Sequence, residues 1–165
     1  MLLVKAEGYP VVARHQTRIY LLYVKVFSIA LSVILLDQVT KALAVRVLSK
    51  GPIHVFGPLS LTLLYNSGIA FGLAKGMSDV VILLAVLIVL FIGFRVSKAS
   101  SNWSIVGSGL LMGGAISNVI DRLIRPHFGV VDFIDFKFWP VFNLADASIV
   151  IGVVMLVFAS FKSHE

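Results

Sequence analysis

The chain has 165 residues, of which 59% are apolar and 13% charged, with a mean hydropathy of +1.01, and this excludes an ordinary soluble globular domain. A net charge of +6 invites a nucleic-acid reading, but no basic cluster is interleaved with aromatics, and basic residues flanking membrane spans explain the charge better. The absence of cysteine removes disulfides, thiolate metal sites and a cysteine nucleophile together.

Residues 1–18 are mixed and polar and are expected to form a tail. A spanning helix needs about 20 predominantly apolar residues, and Ile19 to Leu43 is the first stretch that qualifies. It is longer than the apolar core of a secretory signal and has no small-residue cleavage site before Asp37, so it is expected to persist as a helix. Next comes a long connection over 44–79, in which Leu59, Leu61, Leu63 and Tyr65 alternate with their neighbours as strand residues do. Gly51-Pro52 and Gly57-Pro58 punctuate it as turns, so a small sheet is expected at the membrane surface. Three further spans follow, at about 80–96, 103–124 and 141–161, with a short polar hairpin over 97–102 and a returning connection over 125–140. The expected fold is therefore all-α, with four transmembrane helices, a small sheet and a surface loop in one integral-membrane domain over 1–165. Lysine and arginine divide seven to each side, so charge does not choose the orientation.

Six of the eight acidic residues, Asp37, Asp79, Asp121, Asp132, Asp135 and Asp146, map to the sheet side of this layout. Ionisable groups near a bilayer are costly and tend to mark function. Asn118, Asp121 and Arg122 share one helical face by their spacing, as do Asn143 and Asp146, while Asp37 and Lys41 make an i, i+4 pair. Two chemistries fit such a cluster. Paired carboxylates sharing one proton hydrolyse an amide, or aspartates hold Mg²⁺ for phosphoryl transfer, with Asp121, Asp132 and Asp135 as the ligands. The second is weaker, because the spacing matches no ligand pattern and no glycine-rich phosphate loop accompanies it. Spacing alone favours Asp121 with Asp146 as the carboxylate pair. A transporter with an acidic pathway is a rival of another class, but its polar groups should be spread through the membrane depth, and none lies between Val80 and Phe94. Gly109 and Gly113 form a G-x-x-x-G pattern expected to serve helix packing, and Asp135 is expected to be a surface acid near interfacial aromatics.

Five segments in order resemble those of lipoprotein signal peptidases: Asp37-Gln38-Val39-Thr40-Lys41, Tyr65 to Phe71, Gly113 to Arg122, Val130-Val131-Asp132-Phe133 and Phe142-Asn143-Leu144-Ala145-Asp146. The resemblance runs from the first helix to the C-terminus. It implies an aspartic endopeptidase that removes the signal peptide from diacylglyceryl-modified prolipoproteins, cleaving before the lipidated cysteine. It moves the catalytic pair to Asp132 and Asp146. Asn66, Gly68, Asn118, Arg122 and Asn143 would then bind substrate or shape the site, with Asp37, Lys41, Asp121 and Ala145 in support. By the same resemblance there is no metal or organic cofactor. The protein would be a multi-pass monomer of the bacterial inner membrane, with the sheet and active site on the extracytoplasmic side, and with prolipoprotein and membrane lipid rather than nucleic acid as partners.

Overall fold

A computed structural model describes residues 11–66, 78–96, 101–125 and 129–162. Seven elements follow in chain order: helix α1 (Val11–Leu48), strands β1 (Ile53–Phe56) and β2 (Leu59–Asn66), helices α2 (Ser78–Val96) and α3 (Asn102–Ile124), strand β3 (Val130–Asp135) and helix α4 (Leu144–Lys162). Three stretches, His15–Leu48, Asn102–Ile124 and Leu144–Lys162, are long and apolar enough to cross a membrane, and the apolar part of α2, Ile82–Val96, is shorter. Their outward faces are apolar, as Leu35, Leu36, Leu87, Phe91, Val154 and Phe158 illustrate, while the polar side chains collect inside. That inversion of a soluble protein's pattern suits a lipid surround.

The first helix is longer at both ends than its apolar core. It begins at Val11, within the stretch expected to be a tail, and has 38 residues, or roughly 57 Å at 1.5 Å per residue. This exceeds the ~30 Å hydrocarbon layer, and the excess is used. Ala44 and Leu48 pack with Phe133, Leu61, Leu63, Ile134 and Leu144, so the last turns of α1 are the floor on which the sheet sits. A second core joins α1, α2 and α3 nearer their other ends through Leu22, Val26, Ala30, Ile92, Val96, Ile105 and Met112.

α3 is the central helix, and its small residues make it so. A β-carbon on Gly113 would come 2.7 Å from the Ala30 carbonyl oxygen, and one on Gly109 within 2.7 Å of Ile29. The G-x-x-x-G pair therefore serves packing against α1, as expected. Gly107 and Gly152 bring α3 and α4 together at a second close crossing, where each β-carbon would lie within 3 Å of the other's carbonyl oxygen. At the start of α3, Ser101 and Ser104 form a reciprocal capping box.

The sheet runs β1-β2-β3, with both pairs antiparallel. The Gly57-Pro58 turn joins the first two strands, with Gly57 at φ +51, a geometry glycine adopts freely. β3 lies in the expected connection and is an addition to the sequence reading. It pairs Leu64 with Asp132 and Asn66 with Val130, and so lifts Asp132 out of a loop into a fixed ladder.

Candidate active site

Three helix ends and strand β3, at one edge of the sheet, converge on one polar cluster. Its base is a buried charge network. The ammonium of Lys41 lies 2.6 Å from Asp37 Oδ2 and 2.9 Å from Asp121 Oδ2, with all three side chains 0% exposed. It donates a third bond to Asn118 Oδ1 at 3.0 Å, so every ammonium proton has a partner. Asp121 is also met by Arg125 at 2.6 Å, Gln38 at 3.0 Å and the Val131 N–H at 3.1 Å. Asp37 accepts from Ser117 Oγ at 2.7 Å and from the Ala145 N–H at 2.8 Å. Two carboxylates and two cations balance, which makes burial of the set tolerable. The i, i+4 pair seen in the sequence is thus an interior tie between α1, α3, β3 and the start of α4, rather than an ion pair at a wet helix end.

Above this base stand Asp132 and Asp146, linked through asparagines. Asn143 precedes the first helical residue of α4. Its Oδ1 accepts from the Asp146 N–H at 2.8 Å, and Asp146 Oδ2 accepts from the Asn143 N–H at 3.2 Å. This is a capping box with aspartate in the third helical position, so the i, i+3 spacing reports a helix start and not a shared helical face. The Asn143 amide donates from Nδ2 to Asp132 Oδ1 at 2.6 Å, joining the two carboxylates. Asn118 Nδ2 donates to Asp146 Oδ1 at 2.8 Å from α3. Asn66 Nδ2 donates to Asp132 Oδ2 at 3.0 Å from the neighbouring strand. Arg122 lies one turn beyond Asn118 and donates to its carbonyl at 2.9 Å.

Asp132 is 1% exposed. Burial pushes its carboxyl up to about 7; the Asp146 charge adds to that, and the bonds from Asn66 and Asn143 and the Lys41 charge oppose it. Its partners are amides, whereas Asp121 is saturated by two cations and two N–H donors. A proton can therefore reside at Asp132 near neutral pH.

Of the residues singled out in the sequence, Asp37, Lys41, Asn66, Asn118, Asp121, Arg122, Asp132, Asn143, Ala145 and Asp146 lie in or beside this cluster, whereas Gly68 lies outside the described residues. Asp121, Asp132 and Asp135 do not gather, and among the described residues no three acidic or histidine side chains form a metal-holding group. Asp135 corrects an expectation. It is buried on β3 rather than at the surface, and its carboxylate accepts from Lys137 Nζ at 2.6 Å, Lys137 N at 2.8 Å and Thr62 Oγ1 at 3.2 Å. The bonds from Lys137 hold it below the ordinary carboxylate value. The sequence reading missed Gln38, Ser117 and Arg125 as partners. Arg125 carried a usable signal, four residues after Asp121 near the end of the helix.

A family model described as signal peptidase (SPase) II matches residues 29–162. The lipoprotein signal peptidase of Mycobacterium avium (strain 104) is 42% identical over 144 residues, covering 84% of this chain and 79% of that protein. That of Caldicellulosiruptor bescii is 40% identical over 135 residues, covering 81% and 89%. A bacterial membrane enzyme solved by the in meso method at 2.3 Å resolution superposes with a TM-score of 0.74 at 29% identity, covering 85% of this chain and 89% of that one.

Proposed function

The chain belongs to the signal peptidase II family, and from that membership we propose that Asp132 and Asp146 are the catalytic pair by which it removes signal peptides from lipoproteins. The family's activity is that of an aspartic peptidase acting before the lipidated cysteine. The observation that carries the residue assignment is the Asn143 bridge, which bonds both carboxylates and holds them as one unit.

In this reading a water sits between the two carboxyl groups. Asp146 takes a proton from it as the oxygen attacks the scissile carbonyl carbon. Asp132 gives its own proton to the carbonyl oxygen, and the tetrahedral intermediate collapses with proton transfer to the leaving amine. The high value at Asp132 supports its role as the acid. The base role falls to Asp146, whose carboxyl oxygens accept from Asn118 Nδ2 and from the Asn143 N–H in the first turn of α4. In the same reading Asn66 and Arg122 meet the substrate backbone. The pair belongs at the bilayer surface, where a diacylglyceryl-anchored peptide presents its scissile bond.

The wider reading is a single four-span domain of the bacterial inner membrane, monomeric, with both termini inside and the sheet outside. A cysteine introduced at His54, exposed on β1, should label from outside intact cells, and one at Ser100 should not. The reverse pattern would invert the orientation. The activity itself is tested with purified protein in detergent and a diacylglyceryl-modified precursor. Cleavage before the cysteine, unchanged by a strong chelator, is expected. Loss of cleavage on chelation would favour the metal-dependent alternative.

A further inference from the structure

The chain between Asp132 and Asp146 is a stapled loop with an aromatic tip. Phe133 and Ile134 donate their N–H groups to the Phe142 carbonyl at 3.0 and 2.8 Å, and Phe142 N–H returns to Ile134 at 3.0 Å, closing residues 133–142 at the neck. Within the loop Phe136 stacks on Phe142, with centroids 6.1 Å apart, and lies 5.9 Å from Phe138. Lys137 sits at φ +66, a left-handed geometry that is uncommon for a residue with a β-carbon. The Asp135 carboxylate clasps it there through both its N–H and its ammonium. Beyond that turn Phe138 and Trp139 project, 77% and 57% exposed.

Two large rings held outward by a strained, ion-clasped turn fit a surround that is neither water nor hydrocarbon alone. The exposed residues of α4 include the apolar Val150, Val154, Val157, Phe158 and Phe161, and that helix begins at Leu144, two residues after the loop closes at Phe142. Aromatic side chains, tryptophan above all, prefer the headgroup layer. Trp103, the other tryptophan, is 51% exposed at the far end of α3, and the helix between rises about 34 Å, close to one hydrocarbon thickness. We propose that the Phe138–Trp139 tip docks into the headgroup layer of the bilayer and that the stapled loop thereby sets the depth of Asp132 and Asp146, which lie just outside its two legs. The depth-setting part rests on the assignment of those two residues as the catalytic pair. The docking part does not.

Both parts are tested on the full chain in vesicles. With Trp103→Phe, Trp139 is the sole emitter. Its fluorescence should be quenched more by lipids brominated near the headgroup than by those brominated near the chain end, and it should resist aqueous acrylamide. Strong acrylamide quenching with no response to either brominated lipid would overturn docking and point to a water-facing or protein-facing tip. The double variant Phe138→Ser, Trp139→Ser should lower cleavage several-fold in vesicles while leaving cleavage in detergent and the melting midpoint unchanged. An equal rate in vesicles would overturn depth-setting. A wild-type protein that leaves the precursor uncut in both media would remove the peptidase reading and leave the fluorescence result standing.

Discussion

Lys41 and Asp121 meet at 2.9 Å across the α1–α3 interface, with neither side chain exposed. Because Lys41 also neutralises Asp37, its removal strands that buried carboxylate and leaves Asp121 with Arg125 as its one remaining cation. Lys41→Met should cost about 3–5 kcal/mol of stability, and adding Asp37→Asn should recover part of it. Thermal unfolding in detergent measures both, and a melting midpoint unmoved by Lys41→Met would contradict the buried network.

The two carboxylates of the proposed pair are not interchangeable with their neighbour. Asp132→Asn and Asp146→Asn should each reduce single-turnover cleavage by at least ~10²–10⁴-fold on protein that remains folded. Asp121→Asn should lower stability yet retain turnover, because its charge holds α1, α3 and β3 together and is not consumed in the reaction. An inactive Asp121 variant beside an active Asp132 variant would return the pair to the assignment that helical spacing favours.

Turnover should fall on the alkaline side. Asp132 holds its proton up to about 7, so the acid is lost as pH rises through that value, and the rate with it. The stability sign follows from the same shift. Between 3.8 and about 7 the folded chain keeps a proton that the unfolded chain releases, so the contribution is complete below that window and is lost as pH rises through it. Melting midpoints of wild type and Asp132→Asn, compared across pH, should diverge or converge within the window. A constant difference would place the proton elsewhere.

Gly114→Ala should disturb the site from behind. An added methyl would run into the Ala145 carbonyl oxygen and meet Ile149 Cγ1 at 2.8 Å, pushing α4 away from Asn118. Overpacking of this kind costs about 1–3 kcal/mol, and here it should lower the cleavage rate as well as the melting midpoint. Unchanged kinetics would show that the crossing has slack.

How far the sequence could be read depended on how each residue is buried. Alternation from Leu59 to Tyr65 announced β2, and Leu61 and Leu63 of that series do pack on the core at the end of α1. β3 gave no such sign. Its residues are buried almost throughout, so Val130 to Ile134 reads as a short apolar run without a period. The polar face of Asn118, Asp121 and Arg122 was legible, but the role of Asp121 was not, since one of its donors is the backbone N–H of Val131, which no side-chain pattern encodes. Gln38 and Ser117 were passed over as single polar residues in apolar helices. Asp132 was legible as one of the clustered acids, but its assignment to the carboxylate pair came only through likeness to known peptidases. The first helix was bounded by its apolar core, while its last turns are held by the sheet that lies on them.

Asn143 begins the last helix and, with the same side chain, bridges the two aspartates. Initiating α4 and assembling the proposed pair are consequently one event. A chain whose final helix has not docked has Asp146 on a frayed end and Asp132 on a strand without its bridge. On the proposed assignment, such a chain lacks an assembled pair.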